Sequence, residues 1–272
     1  MDAIGIFDSG YGGLTIFHRI QEALPQYNYI YLGDNARAPY GTRSFEVVYR
    51  FTRQAVMSLF DQGCRLIILA CNTASAKALR SIQQKDLPLL DASLRVLGVI
   101  RPTVEAIDGV SRSKHVGVLA TTGTIASESY TLEINRLFPH ITVTGEACPM
   151  WVPLVENNEF ASPGADYFVK KHIRNILAAD PAIDTLILGC THYPLLTDKI
   201  RAALPPGVTL LTQGERVAKS LANYLDRHPE INERLAREAT RRFLTTESVD
   251  KFAEAASAFL HQPIEVEHIC IH

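Results

Sequence analysis

Two short segments of the chain share one design. In LILGCTHYPLL, residues 186–196, an apolar run ends at Gly189, and Cys190, Thr191 and His192 follow without a break. In LIILACNTAS, residues 66–75, the run ends at Ala70, and Cys71, Asn72 and Thr73 follow. Each places a thiol among polar groups at the exit of what reads as a buried strand. One cysteine beside a histidine suggests a nucleophile. Two cysteines in matched settings suggest something else: a thiolate removes a proton from one face of a carbon, a thiol returns one to the other face, and the stereocentre inverts. With a reference pKa of about 8.5, a thiol is brought near working pH by polar neighbours, so it serves as base in one form and acid in the other.

Other strand ends supply groups suited to a small anion with several carboxylate oxygens. GIFDSGYGG ends its strand with Asp8 and Ser9; GDNARAPYGT carries Asp34, Tyr40, Gly41 and Thr42; ATTGT carries Thr121, Thr122 and Thr124. Their hydroxyls and exposed backbone amides are the donors such an anion needs. SGYGG also opens a helix, whose N-terminus favours negative charge, but it lacks the GxGxxG spacing of a dinucleotide site. Asp8 and Ser9 also suit the cap of that helix, and Asn72 and Thr73 the cap of a helix from Ser75. Cys64, Cys148 and Cys270 read as small buried hydrophobes. There is no CxxC pair, the histidines show no metal spacing, and Lys85, Lys114, Lys170 and Lys171 read as solvated charges. Neither a metal nor a pyridoxal cofactor is expected.

To position these groups the chain must alternate strands with helices. Candidate strands are AIGIFD, YNYIYLGD, RLIILAC, VLGVI, HVGVLAT, ITVTGEAC, DTLILGC and VTLLTQ, with helical stretches between them. Short continuous apolar strands alternating with helices predict an α/β fold: two similar lobes, each a mostly parallel sheet flanked by helices, with the active site in the cleft between them. A break after Pro88 to Arg95 and another near Leu211 divide the chain into residues 1–97 with 212–272, carrying Cys71, and residues 98–211, carrying Cys190. The tail from Asn232 to Leu260 reads as helical and ends in an edge strand, IEVEHICI. Ligands of open α/β sheets sit beyond the carboxyl ends of the strands, so the two thiols should face each other across the cleft.

The 272 residues carry a net charge of −2, with 47% hydrophobic and 21% charged residues. That balance argues against a broad nucleic-acid or anionic-membrane footprint. No apolar run reaches a membrane span. Met1 leads almost directly into a strand pattern, without a charged leader, and the five cysteines include no obvious pairs. Both point to a cytoplasmic protein with free thiols.

FDSGYGGLT, YLGDNARAPYGT, ACNTAS and LGCTHYPLL, in this order, resemble the glutamate racemases of the cofactor-independent amino-acid racemase group. The resemblance runs from about Ile4 to Tyr224. It implies interconversion of L- and D-glutamate without a cofactor, supplying D-glutamate for peptidoglycan, and commonly a homodimer. It implies that Cys71 and Cys190 are the catalytic acid/base pair, with Asp8 assisting the first, His192 the second, and Glu156 in PLVE as a further helper. Substrate contacts would come from Asp8, Ser9, Tyr40, Gly41, Asn72, Thr73, Thr191 and His192, with Thr121 and Thr124 from the TTGT loop. The chain departs from the pattern at LLTQGE, where the family often has Asp-Ser before Gly, which leaves Thr212 and Gln213 without an assigned role. Rival readings are a racemase of aspartate or another acidic amino acid, a cysteine-nucleophile amidase using Cys190 and His192, and a two-lobed small-ligand binding protein.

Overall fold

A computed structural model describes residues 2–260 and 262–271. It contains two wholly parallel sheets. The first joins β1 (Ala3–Asp8), β2 (Tyr29–Gly33), β3 (Cys64–Leu69), β4 (Arg95–Gly98), β9 (Arg241–Thr245) and β10 (Val266–His268) in the order β10-β9-β2-β1-β3-β4. The second joins β5 (His115–Ala120), β6 (Thr142–Ala147), β7 (Thr185–Gly189) and β8 (Thr209–Leu211) in the order β6-β5-β7-β8. The central strands read as unbroken apolar runs because helices cover both faces of each sheet. Alternation still sorts their side chains: Ile4 and Ile6 enter one core while Ala3 and Phe7 enter the other, and Leu186 and Leu188 part company with Ile187 in the same way.

The strand orders locate the site. In the first sheet the chain steps from β1 to β2 on one side and then returns to lay β3 on the other. In the second it steps from β5 to β6 and returns to lay β7 on the other side of β5. Each sheet therefore has a topological switch point, where the loops leaving neighbouring strands diverge and open a crevice. Asp8, Ser9 and Cys71 lie at the carboxyl-terminal side of the first crevice, and Thr121 and Cys190 at that of the second.

Four expectations need correction. The tail is not continuously helical: the chain forms β9 at Arg241–Thr245, then the helix Val249–Leu260. The edge of β2 requires a partner, and Phe243 completes an aromatic cluster, 5.7 Å from Phe17 and 6.3 Å from Tyr31 between ring centroids. Tertiary pairing overrides the helical propensity of the surrounding residues. The strand Arg95–Gly98 lies at the edge of the first sheet, paired to β3, so the division expected at residue 97 falls inside it. Cys270 is exposed, since it follows the edge strand β10, whereas Cys64 and Cys148 are buried. The helical stretch between β5 and β6 is also interrupted, at Glu128 with φ 54°, into Thr122–Ala126 and Ser129–Leu137.

Candidate active site

Cys71 is placed by the end of β3. The N–H of Ala70 donates to Phe7 O at 2.8 Å, which keeps this exit beside β1. The helix after it begins at Asn72, earlier than Ser75, so Cys71 itself is the N-cap: its Sγ accepts from the Ala74 N–H at 3.4 Å. Ser9 Oγ lies 3.4 Å from the same sulfur. Burial, then the nearby Asp8 carboxylate, push the Cys71 thiol up to about 12, against the opposing bonds from Ser9 and Ala74. Asp8 is fully buried at the end of β1 and caps no helix; the next helix, Leu14–Ala23, starts without a side-chain cap. Its Oδ1 accepts from the Gly10 N–H at 2.9 Å, and its Oδ2 from the Thr191 hydroxyl of the other lobe at 3.3 Å. Burial raises the Asp8 carboxyl above its ordinary range, although His192 and these donors pull the other way.

Cys190 is placed by the end of β7. Its Sγ lies 3.9 Å from His192 Nδ1, and Glu156 Oε1 lies 3.2 Å from His192 Nε2, close enough for an ion pair but outside hydrogen-bond alignment. Burial opposes protonation of this imidazole, yet contacts with Cys190 and Glu156 outweigh it and raise His192 to about 10. When protonated, the ring is a cation that supports negative charge on an adjacent sulfur. Glu156 arrives on the short helix Trp151–Glu156, whose Trp151 packs edge-on against Tyr193 at 4.7 Å. Thr15 Oγ1 donates to Thr191 O at 3.2 Å, tying the loop after Cys190 to the first lobe. This approach demands glycine at position 12: a Cβ there would lie 2.5 Å from both His192 Nδ1 and Thr191 Oγ1.

The remaining wall is shared between the lobes. Tyr40 Oη donates to Asp34, which also accepts from Arg37 Nε at 2.7 Å and from Thr246 Oγ1 at 2.9 Å. Burial and the Asp34 carboxylate keep the Tyr40 phenol protonated. The Gly123 N–H donates to Gly41 O at 2.7 Å, and a Cβ on Gly41 would strike Thr121 at 2.8 Å. Thr73 Oγ1 stands 3.0 Å from Thr121 Oγ1 and 3.2 Å from Thr124 Oγ1.

Ser9, Tyr40, Gly41, Cys71, Asn72 and Thr73 line the cleft from the first lobe; Thr121, Glu156, Cys190, Thr191 and His192 line it from the second. Asp8 and Thr124, both expected to touch substrate, stand behind that surface as partners of Thr191 and Thr73. Pro39, Thr42, Thr122, Pro149, Val152 and Pro153 complete the lining, which holds no lysine or arginine among the described residues. Two residues without an expected role adjoin the site: Tyr130 donates to Asn72 Oδ1 at 2.7 Å, and Gln213 Oε1 accepts from Asn72 Nδ2 at 2.6 Å. Tyr130 lies inside a helical stretch that carries no local signal; for Gln213 the one hint was the departure at LLTQGE. Among the described residues no three histidine, cysteine or acidic side chains gather as a metal site.

The sequence model of the Asp/Glu/Hydantoin racemase family matches residues 4–221. The chain belongs to this family. It is 41% identical over 259 residues to the glutamate racemase of Shouchella clausii, an alignment covering 95% of this chain and 90% of that one. Its structure matches the glutamate racemase isoform RacE1 of Bacillus anthracis, with a TM-score of 0.90 and 36% identity, over 99% of this chain and 97% of the other. It matches the Francisella tularensis glutamate racemase in complex with D-glutamate with a TM-score of 0.86 and 34% identity, over 100% and 97% of the two chains. These family members share the two-lobed parallel-sheet architecture. No helix among the described residues is long and apolar enough to cross a membrane.

Proposed function

We propose that the protein interconverts L- and D-glutamate by proton transfer between Cys71 and Cys190, with no cofactor. The observation that carries this reading is the matched placement of the two thiols, one at the switch point of each parallel sheet, lining one cleft from its two lobes. Taking the lobes as residues 1–97 with 212–272 and residues 98–211, the first contributes Cys71 with Asp8 and the second contributes Cys190 with His192 and Glu156. Cys190, assisted by the His192 ring 3.9 Å away, takes the α-proton of L-glutamate, while Cys71, pushed up to about 12, is the thiol that protonates the opposite face. In the reverse direction Cys71 must shed its proton, and the proposed helper for that transfer is Asp8, buried nearby with its carboxyl raised. Among the described residues the lining holds no lysine or arginine, so the substrate carboxylates are received by hydroxyls of Ser9, Thr73, Thr121 and Thr191, the Asn72 amide and backbone N–H groups.

Glutamate is preferred over aspartate because the similar curated and solved proteins above are glutamate racemases, one of them holding D-glutamate. An amidase built on Cys190 and His192 would leave Cys71 without work. Polarimetry with L-glutamate, L-aspartate and L-glutamine separates these readings. Loss of rotation with L-glutamate alone is expected; loss with L-aspartate alone, or ammonia release from L-glutamine, would overturn the proposal. Full activity is also expected after dialysis against a chelator and after a carbonyl reagent, and loss rescued by metal or pyridoxal phosphate would refute the cofactor-free step. The same reading makes the protein a cytoplasmic homodimer supplying D-glutamate to peptidoglycan, and sedimentation equilibrium tests the dimer.

A further inference from the structure

Gln213 stands where the chain returns from the second sheet to the first lobe, between the end of β8 at Leu211 and the helix Gly214–Arg227. Val99 and Thr103 stand on the outward crossing, after β4 and in the helix Ile100–Glu105. The Gln213 side chain is 4% exposed and joins the two crossings. Its Nε2 lies 2.9 Å from Thr103 Oγ1, 2.9 Å from Tyr130 Oη, 3.1 Å from Asn72 Oδ1 and 3.4 Å from Val99 O, while its Oε1 receives Asn72 Nδ2 at 2.6 Å.

The direction of these bonds follows from one end. Val99 O can only accept. The Thr103 hydroxyl donates to it at 2.8 Å, which leaves the Thr103 oxygen as an acceptor. It takes an N–H of Gln213, so the amide nitrogen is fixed on that side and Oε1 is turned toward Asn72. An acceptor there requires Asn72 to offer Nδ2, and Asn72 Oδ1 then receives the Tyr130 hydroxyl at 2.7 Å. A primary amide has two N–H donors. One of Asn72 is committed to Gln213, and the other remains for a group in the cleft that Asn72 lines.

We infer that Gln213 is a positioning residue for substrate recognition: it holds the Asn72 carboxamide with an N–H, and not the carbonyl, available to a substrate carboxylate, and ties that orientation to both interlobe crossings. This rests on the reading of the cleft as a glutamate site. The test compares wild type, Gln213→Met, Asn72→Ala and the double variant, with KM and kcat measured in both directions. Gln213→Met keeps the length of the side chain and removes its donors and acceptor. Loss of one oriented charge-assisted bond is expected to raise KM about tenfold in both directions with kcat changed far less. Asn72→Ala should raise KM similarly, and the double variant no further, because both substitutions remove the same contact. Thr103→Val, which removes the acceptor that sets the polarity, should raise KM by a smaller factor, and it serves as the probe if Gln213→Met fails to fold by circular dichroism. Losses that multiply in the double variant, a fall in kcat at constant KM, or unchanged KM in a folded Gln213→Met or Thr103→Val would overturn the inference while leaving a racemising wild type intact. A wild type inactive on both glutamate enantiomers would instead remove the functional reading and the inference with it.

Discussion

At the scale of single residues the two thiols differ in surroundings. Cys190 has the His192 ring 3.9 Å away, while Cys71 has a buried carboxyl nearby, the Ser9 hydroxyl at 3.4 Å and the Ala74 N–H donor at 3.4 Å. Replacing either cysteine by serine should lower racemisation at least about a thousandfold, because a hydroxyl is a far weaker acid and base at neutral pH. Activity near wild type with serine or alanine at either position would exclude the two-thiol scheme. The helpers should act unequally on the two directions. His192→Asn is expected to raise the primary deuterium isotope effect on α-deuterated L-glutamate more than on the D-enantiomer, and Asp8→Asn to do the reverse. Steady-state ratios cannot report this, since the equilibrium constant between enantiomers is fixed; identical changes in both directions would contradict the assignment of helpers. Cys71, Cys190 and His192 were legible in the sequence because each sits at the abrupt end of an apolar run. The Asn72–Gln213–Tyr130 contacts were not, because residues so far apart in sequence meet only when both interlobe crossings are in place.

At the scale of elements, close approach between the Leu14–Ala23 helix start and the loop after β7 sets the cleft. Gly12→Ala would drive a methyl group to 2.5 Å from His192 Nδ1 and Thr191 Oγ1, so the loop must retreat. Misplacement on this scale should cost about a hundredfold in kcat, with a stability loss of only about 1–3 kcal/mol; unchanged kinetics in Gly12→Ala would show that the approach is not needed for catalysis. The start of β7 is anchored by Asp184. Burial pushes this carboxyl up, but bonds from the Ser113 and Arg112 N–H groups and the Ser111 and Thr185 hydroxyls outweigh it and hold it at about 2. An acid depressed on folding stabilises fully above its unfolded value of about 3.9, and that stability is lost as pH falls toward 2. Asp184→Asn should therefore cost about 1–2 kcal/mol at pH 6, discounted for its partial exposure, and less at pH 3. Urea unfolding at the two pH values reads the difference, and a cost that does not shrink with acidity would contradict the account. The apolar strands and most helices could be read from periodicity. The strand Arg241–Thr245 could not, because its conformation comes from the open edge of β2 and the ring cluster around Phe17.

At the scale of the whole molecule, inversion needs two lobes. Each parallel sheet has one switch point, each switch point carries one thiol, and the cleft joins them. Repetition of the apolar-run–cysteine pattern made this arrangement legible before any contact was known. The way the lobes are held was not legible, since it rests on a few bonds such as Gly123 N–H to Gly41 O and Thr191 to Asp8. The central claim is that the proton removed from one face and the proton delivered to the other belong to different thiols. Conversion of L-glutamate in deuterium oxide, followed by mass spectrometry of the separated enantiomers early in the reaction, tests it directly. Two thiols that exchange with solvent predict D-glutamate carrying one deuterium at the α-carbon while the remaining L-glutamate stays protiated. Early D-glutamate that retains the original α-proton, or deuterium entering the unreacted L-glutamate as fast as product forms, would show a single base serving both faces and would contradict the account.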